Sequence, residues 1–339
     1  MTRSSTPFLS NFEVQPSQVE PLLRTLRFAN AMLDYAFYDV PAFRDALMKE
    51  GVDIVWKDSV QSDPAEQQQL PEQVNLTALA NPEGAILIVD AKNSPHIRRF
   101  YNVEKFLDKK EGGVQLIDAI SVSGVGSSAL GSAALAWNAS TALGRPVAAV
   151  VPGYGLADVV QQALGGWFGF EMYSYWLKQP VQAWLAQVVP GAARVGRHLL
   201  ATTSDHATAS GTGVPVFRRG SGSSDVLHAI LKRSEHINLL MGHSKGALVI
   251  ENAIVDLPVE QLKRLQVLTF GCVISELGNV GRYDQFLGSL DGLGMLNSGG
   301  NCPEHTVPDW HSTNRALPLT MPVSQLTGTV LTPATERPT

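Results

Sequence analysis

Residues 235–256 read EHINLLMGHSKGALVIENAIVD. An apolar-rich run enters Gly242-His243-Ser244-Lys245-Gly246, and a segment with helical spacing leaves it. A serine between two glycines, where a strand gives way to a helix, is the pattern of a nucleophile elbow. The reason is steric. The backbone at the serine is strained, so the residues two positions to either side must be small, and Gly242 and Gly246 meet that need. The turn lifts the hydroxyl above the sheet, and the helix N-terminus behind it favours developing negative charge. Ser244 is the candidate nucleophile, and His243 before it is read as a packing residue.

Outward from the elbow, β-branched and apolar runs recur as GAILIVDAKN, GRPVAAVVPGYG, LQVLTFGC and, more weakly, QFLGSL; DIVW is a further short strand. Helical patterns lie between them, over roughly 115–143, 156–190, 225–235 and 245–256. Strands alternating with helices predict an α/β fold, a mostly parallel sheet covered by helices. Residues 17–50 carry apolar positions at three- and four-residue steps and read as helix closed by Gly51, while the Gln/Pro-rich stretch 59–83 reads as a loop. The expected organisation is an N-terminal helical extension and linker over 1–84, a main domain over 85–320 with an insertion at about 166–222, and a C-terminal tail over 321–339.

Composition narrows the function. Of 339 residues, 44% are apolar and 17% charged, enough to bury a full core, and the net charge of −5 with no basic tract argues against nucleic-acid binding. Two cysteines, Cys272 and Cys302, make no disulfide framework, and Cys272 is expected to be a small buried residue. No His/Cys/Asp cluster has metal-ligand spacing, so neither metal nor other cofactor is expected. The N-terminal stretch lacks the apolar run of a signal peptide, which makes a cytoplasmic location the expectation. Residues 119–144 carry no charge, but Ser, Gly and Thr dilute them, so they read as a small-residue helix in the core rather than a transmembrane span.

Upstream of the elbow, VAAVVPGYGLAD is a strand running into a glycine loop. Such a loop aims backbone N–H groups at an oxyanion, here from Tyr154, joined by the N–H of Lys245 just after the nucleophile. Together VVPGYG, GHSKGALVI and VLTFGC resemble the α/β-hydrolase superfamily with a lipase/esterase character, and LTFGC is similar to a strand of class 3 lipases. Lys245 stands where those lipases usually carry leucine. The resemblance covers roughly residues 85–320. It implies a serine–acid–histidine order along the chain. Downstream of Ser244 the only histidines are His305 and His311, and His311, in the loop-like HTVPDWHSTN, is favoured as the base. Asp291, just after QFLGSL, is favoured as the acid, with Asp284, Asp309 and Glu276 as alternatives, while Asp256 at the end of the elbow helix is read as solvated. The interval from Asp291 to His311 leaves little room for a final strand.

The implied activity is hydrolysis of a carboxylic ester, lipid-like or a small acyl ester, through an acyl-enzyme. A stored polyester or a thioester is the alternative substrate, with contact to a lipid or polymer surface possible in either case. The insertion GWFGFEMYSYWLKQPVQAW would supply Trp167, Phe168, Phe170, Tyr173 and Trp176 as an acyl pocket or lid, or as core. Two rivals use other chemistry. SVSGVGSSALGSAAL contains Gly-x-Gly-x-x-Ala with room for a strand before it, a relaxed dinucleotide fingerprint, but the next strand ends in Pro152 where a ribose-binding acid belongs. A non-catalytic relative used as a binding module is the other.

Overall fold

Ten strands are present in the computed structural model, which describes residues 33–50, 53–55, 73–75, 84–100, 103–108, 113–124, 127–152 and 222–331. They are β1 (Asp53–Val55), β2 (Gln73–Asn75), β3 (Ile86–Val89), β4 (Ile97–Phe100), β5 (Ala119–Val122), β6 (Val147–Val150), β7 (Leu239–His243), β8 (Gln266–Phe270), β9 (Arg282–Gly288) and β10 (His305–Val307). The first two pair in parallel with each other. The other eight form one sheet in the order β10-β9-β8-β7-β5-β6-β3-β4. It is parallel throughout except at β3, which runs antiparallel to both β4 and β6.

The described helices are α1 (Val40–Lys49), α2 (Val103–Leu107), α3 (Ala129–Leu143), α4 (Gly222–Arg233), α5 (Gly246–Ile254), α6 (Val259–Leu262), α7 (Gly292–Asn297) and α8 (Val323–Leu331). Alternate strand residues feed two cores. Ala119, Ala149, Leu239 and Met241 join α1, α3 and α8 on one face; Ile120, Val122, Ala148 and Leu240 join α2, α4 and α5 on the other. That is the period-two pattern of a sheet covered on both sides. All four residues of β5 are buried, so the strand shows no alternation of apolar and polar positions.

Several expectations change. The helix expected over 115–143 is a short 3₁₀ turn, then β5, then α3, which begins only after the N-cap Ser128 accepts from Leu130 N. A short uncharged run carries no periodicity that separates strand from buried helix. The stretch 59–83 contributes β2, and β4, with two arginines in four half-buried residues, is an edge strand that the apolar pattern does not mark. A three-residue β10 does fit between Asp291 and His311. The segment after 321 contributes α8, which buries Val323, Thr327 and Val330. The 17–50 helix is interrupted within the described residues: 33–37 are helical, and α1 starts anew at Val40 with Pro41 in its first turn. Pro41 has no N–H to offer the carbonyl of Phe37 four residues back. Phe43 and Leu47 of α1 are fully buried, each contributing about 1.5–3 kcal/mol, so this N-terminal segment is part of the core.

No helix among the described residues is long and apolar enough to cross a membrane, and residues 119–144 are divided between β5 and α3.

Candidate active site

β7 carries Ser244 at its carboxyl end, and α5 starts two residues later. Ser244 has φ +53°, a left-handed conformation that costs a non-glycine residue about 1 kcal/mol or more. The glycines around it are required by close approach. A methyl group on Gly242 would stand 2.7 Å from Ala247 Cα, and one on Gly246 would stand 2.6 Å from Ser123 O. Ser244 N donates to Phe270 O at 2.8 Å, which ties the elbow to the end of β8.

The next strands bring the other groups to the same edge. Asp291 follows β9 and is the N-cap of α7, its Oδ1 accepting from Gly294 N at 2.6 Å. His311 follows β10, and its Nδ1 lies 2.9 Å from both Asp291 oxygens. Both side chains are buried. A carboxylate only accepts, so Nδ1 carries the proton, and it is Nε2 that is turned away from Asp291, the nitrogen a general base would use. Gly271, with φ +67° just after β8, lets the pair close: a methyl group there would stand 3.0 Å from both Asp291 Oδ2 and His311 Nδ1.

His305 is placed elsewhere. Its Nε2 lies 3.2 Å from Asp284 Oδ1, and its ring stacks on Phe286 at 4.5 Å. Asp284 in turn accepts from Arg282 and Gln266. Of the other acids, Asp256 is exposed and Glu276 shares a side-chain hydrogen bond with Glu304, which with burial pushes its carboxyl up. Burial also raises Asp309. His311 therefore meets Asp291 among the alternatives, as the sequence reading favours.

Among the described residues, the loop placed beside the serine follows β5. β5, not β6, is the neighbour of β7, with Val122 opposite Gly242. Two residues beyond Val122, Gly124 faces Ser244: a methyl group there would stand 3.3 Å from its Cβ and 3.6 Å from its Oγ. β6, which leads toward Tyr154, is one strand further out. Tyr154, Trp167, Phe168, Phe170, Tyr173 and Trp176 lie outside the described residues.

His243, Tyr38 and Asp34 are the residues whose part the sequence did not reveal. His243 Nε2 lies 2.8 Å from His311 O, and its Nδ1 lies 2.9 Å from Tyr38 Oη. Its ring centroid is 4.9 Å from that of His311. Burial first, then the neighbouring His311, pushes the His243 pKa down to about 3, so the ring is neutral. Tyr38 Oη accepts from Gly124 N at 2.7 Å. Asp34 accepts from Ser127 Oγ at 2.7 Å, Ser128 N at 2.9 Å and Ser128 Oγ at 2.6 Å. Burial raises its pKa to about 7, against the pull of those hydrogen bonds. The Gly-x-Gly-x-x-Ala segment does run from a strand into a helix, but the helix end where a pyrophosphate would sit is occupied by this carboxyl of the chain itself. Cys272 is buried in the core and Cys302 is exposed, both as free thiols. No group of three His, Cys, Asp or Glu among the described residues could hold a metal ion.

Ser244, His311 and Asp291 thus gather at the carboxyl ends of parallel strands, where open α/β sheets bind ligands. Compared with protein-family models, curated proteins and solved structures, the chain gives no match.

Proposed function

We propose that this chain is a serine hydrolase of the α/β-hydrolase kind, cleaving a carboxylic ester through an acyl-enzyme. The observation that carries the reading is the coincidence of two features. A serine is held at φ +53° on a strand-to-helix elbow, and a histidine is aligned by a buried carboxylate on the same sheet edge. Strained backbone at a non-glycine residue persists where the surroundings over-determine it, as at active sites.

Ser244 Oγ attacks the ester carbonyl while His311 Nε2 takes its proton. Asp291 holds Nδ1–H and stabilises the imidazolium that forms. The oxyanion is received at the head of α5 by the N–H of Lys245. Gly124, just beyond the strand beside β7, lines the same side of Ser244. The proton passes from His311 to the leaving alkoxide. Water, deprotonated by His311, then attacks the acyl carbon, and Oγ leaves with that proton to release the acid.

A fluorophosphonate probe tests this directly, because only an activated serine attacks it readily. Mass spectrometry should find the adduct on Ser244, and Ser244→Ala should abolish it. An adduct that persists in the variant, or a folded protein that takes no label, would remove the hydrolase reading.

A further inference from the structure

The six residues Asp34–Asp39, far upstream of the elbow, touch both loops of the site. On one side Asp34 holds Ser127 and Ser128, and Tyr38 Oη accepts from Gly124 N. On the other side three backbone carbonyls near the helical end are taken by the histidine loop. Asn314 Nδ2 donates to Tyr35 O, Ser312 Oγ to Ala36 O, and both Thr313 N and Oγ1 to Phe37 O. These are the carbonyls a helix leaves without partners at its end, and Pro41 ensures that Phe37 O is among them. The ring of Phe37 stands edge-on to His311 at 5.7 Å, and Arg315 Nε donates to Asp39 at 2.6 Å.

The hydrogen bonds between the two sides have one self-consistent direction. The carbonyl of His311 can only accept, so His243 Nε2–H donates to it. The ring is neutral, so Nδ1 must accept, and Tyr38 O–H is its donor. The Tyr38 oxygen then accepts from Gly124 N–H. Burial raises the phenol pKa further, so the hydroxyl keeps its proton. The path runs Gly124 N–H to Tyr38 O–H to His243 to the backbone of His311. It passes through the residue that precedes Ser244.

Resting on the hydrolase reading above, we propose that Tyr38 is a positioning residue of the active site, its hydroxyl fixing the loop beside Ser244 and, through His243, the main chain of the general base. It touches no reacting atom. It acts by holding two loops in register, and a displacement near 1 Å at such a site costs about a hundredfold in rate.

Tyr38→Phe removes the hydroxyl and keeps the ring against His243. Turnover of a p-nitrophenyl acetate substrate is measured per site titrated with the fluorophosphonate, so that loss of folded protein does not count. The expected result is a kcat lower by about tenfold to a hundredfold with KM within about twofold. An unchanged kcat per titrated site would overturn the positioning role and leave the hydrolase reading intact. Wild-type protein that neither labels nor turns over would overturn that reading instead. Nitrogen NMR of the imidazoles then judges the positioning without turnover. Wild-type His243 should be the neutral Nε2–H form from pH 5 to 8, and the ring nitrogens of His311 should shift in Tyr38→Phe. A wild-type Nδ1–H tautomer, or unmoved His311 signals in the variant, would overturn the proposal.

Discussion

Ser244 stores backbone strain at the position of the proposed nucleophile. Only two described non-glycine residues are left-handed, Ser244 and Leu319, and the first is the proposed nucleophile. Glycine adopts that conformation without the Cβ penalty, at some cost from its freer unfolded chain. Ser244→Gly should therefore raise stability by about 0.5–1 kcal/mol while ending turnover, and thermal melting would register about 2 °C. A lower melting temperature would show that the hydroxyl's contacts outweigh the strain. Ser244 was legible because the reasons for it are local: both glycines it needs lie within two residues. Tyr38 was not legible. Its partner His243 is 205 positions away, and nothing within DYAFYD distinguishes a tyrosine that seals a core from one that links two loops.

Asp291 serves two elements at once. It caps α7 through Gly294 N and holds His311 Nδ1. The two roles separate by substitution. Asp291→Asn keeps an N-cap acceptor but loses the charge, and its amide can no longer enforce the Nδ1–H tautomer. It should lower kcat by three to four orders of magnitude, with stability changed by less than about 1 kcal/mol. Asp291→Ala should match that loss of turnover and destabilise by a further ~1 kcal/mol or more through the lost cap. Paired kinetics and denaturant melts decide it; an Asn variant as active as wild type would remove Asp291 from the triad. At this scale the reading from sequence was uneven. β7, α5 and β8 declared themselves by long apolar runs and clear breaks. β5, the strand that brings Gly124 to the serine, was hidden in an uncharged stretch that also fits a helix.

Across the molecule, two buried groups with opposite linkage join its parts. Asp34 binds its proton up to about pH 7 when folded, against the usual 3.8, so its contribution is fully present below pH 3.8 and is lost as pH rises toward 7. His243 refuses its proton down to about pH 3, against the usual 6.5, so its contribution is present above pH 6.5 and is lost as pH falls toward 3. Over pH 4–6.5 the folded chain gains one proton relative to the unfolded chain at Asp34 and lacks one at His243. The two slopes, each about 1.4 kcal/mol per pH unit, largely cancel. Asp34→Asn should remove one of them and leave stability falling by about that slope as pH drops from 6.5 to 4, read as urea midpoints against wild type. A variant whose stability is as flat with pH as the wild type would show that His243 is not held neutral.

What the sequence determined by itself was an α/β chain with a glycine-flanked strand-to-helix turn at Ser244, the candidate nucleophile. It also narrowed the base to two histidines and favoured His311 with Asp291. Periodicity, small residues at a strained turn and residue scarcity are all properties of short windows. Strand order is not, and it decided the rest. Only the sheet shows that β5 separates β7 from β6, and that the end of β5 brings Gly124 beside Ser244. Only the folded chain shows that carbonyls left open near Pro41 are filled by Ser312, Thr313 and Asn314, some 276 residues on, making residues 34–39 part of the site. Backbone groups look alike in any sequence; which of them lack a local partner, and what reaches them, is settled when the layers pack.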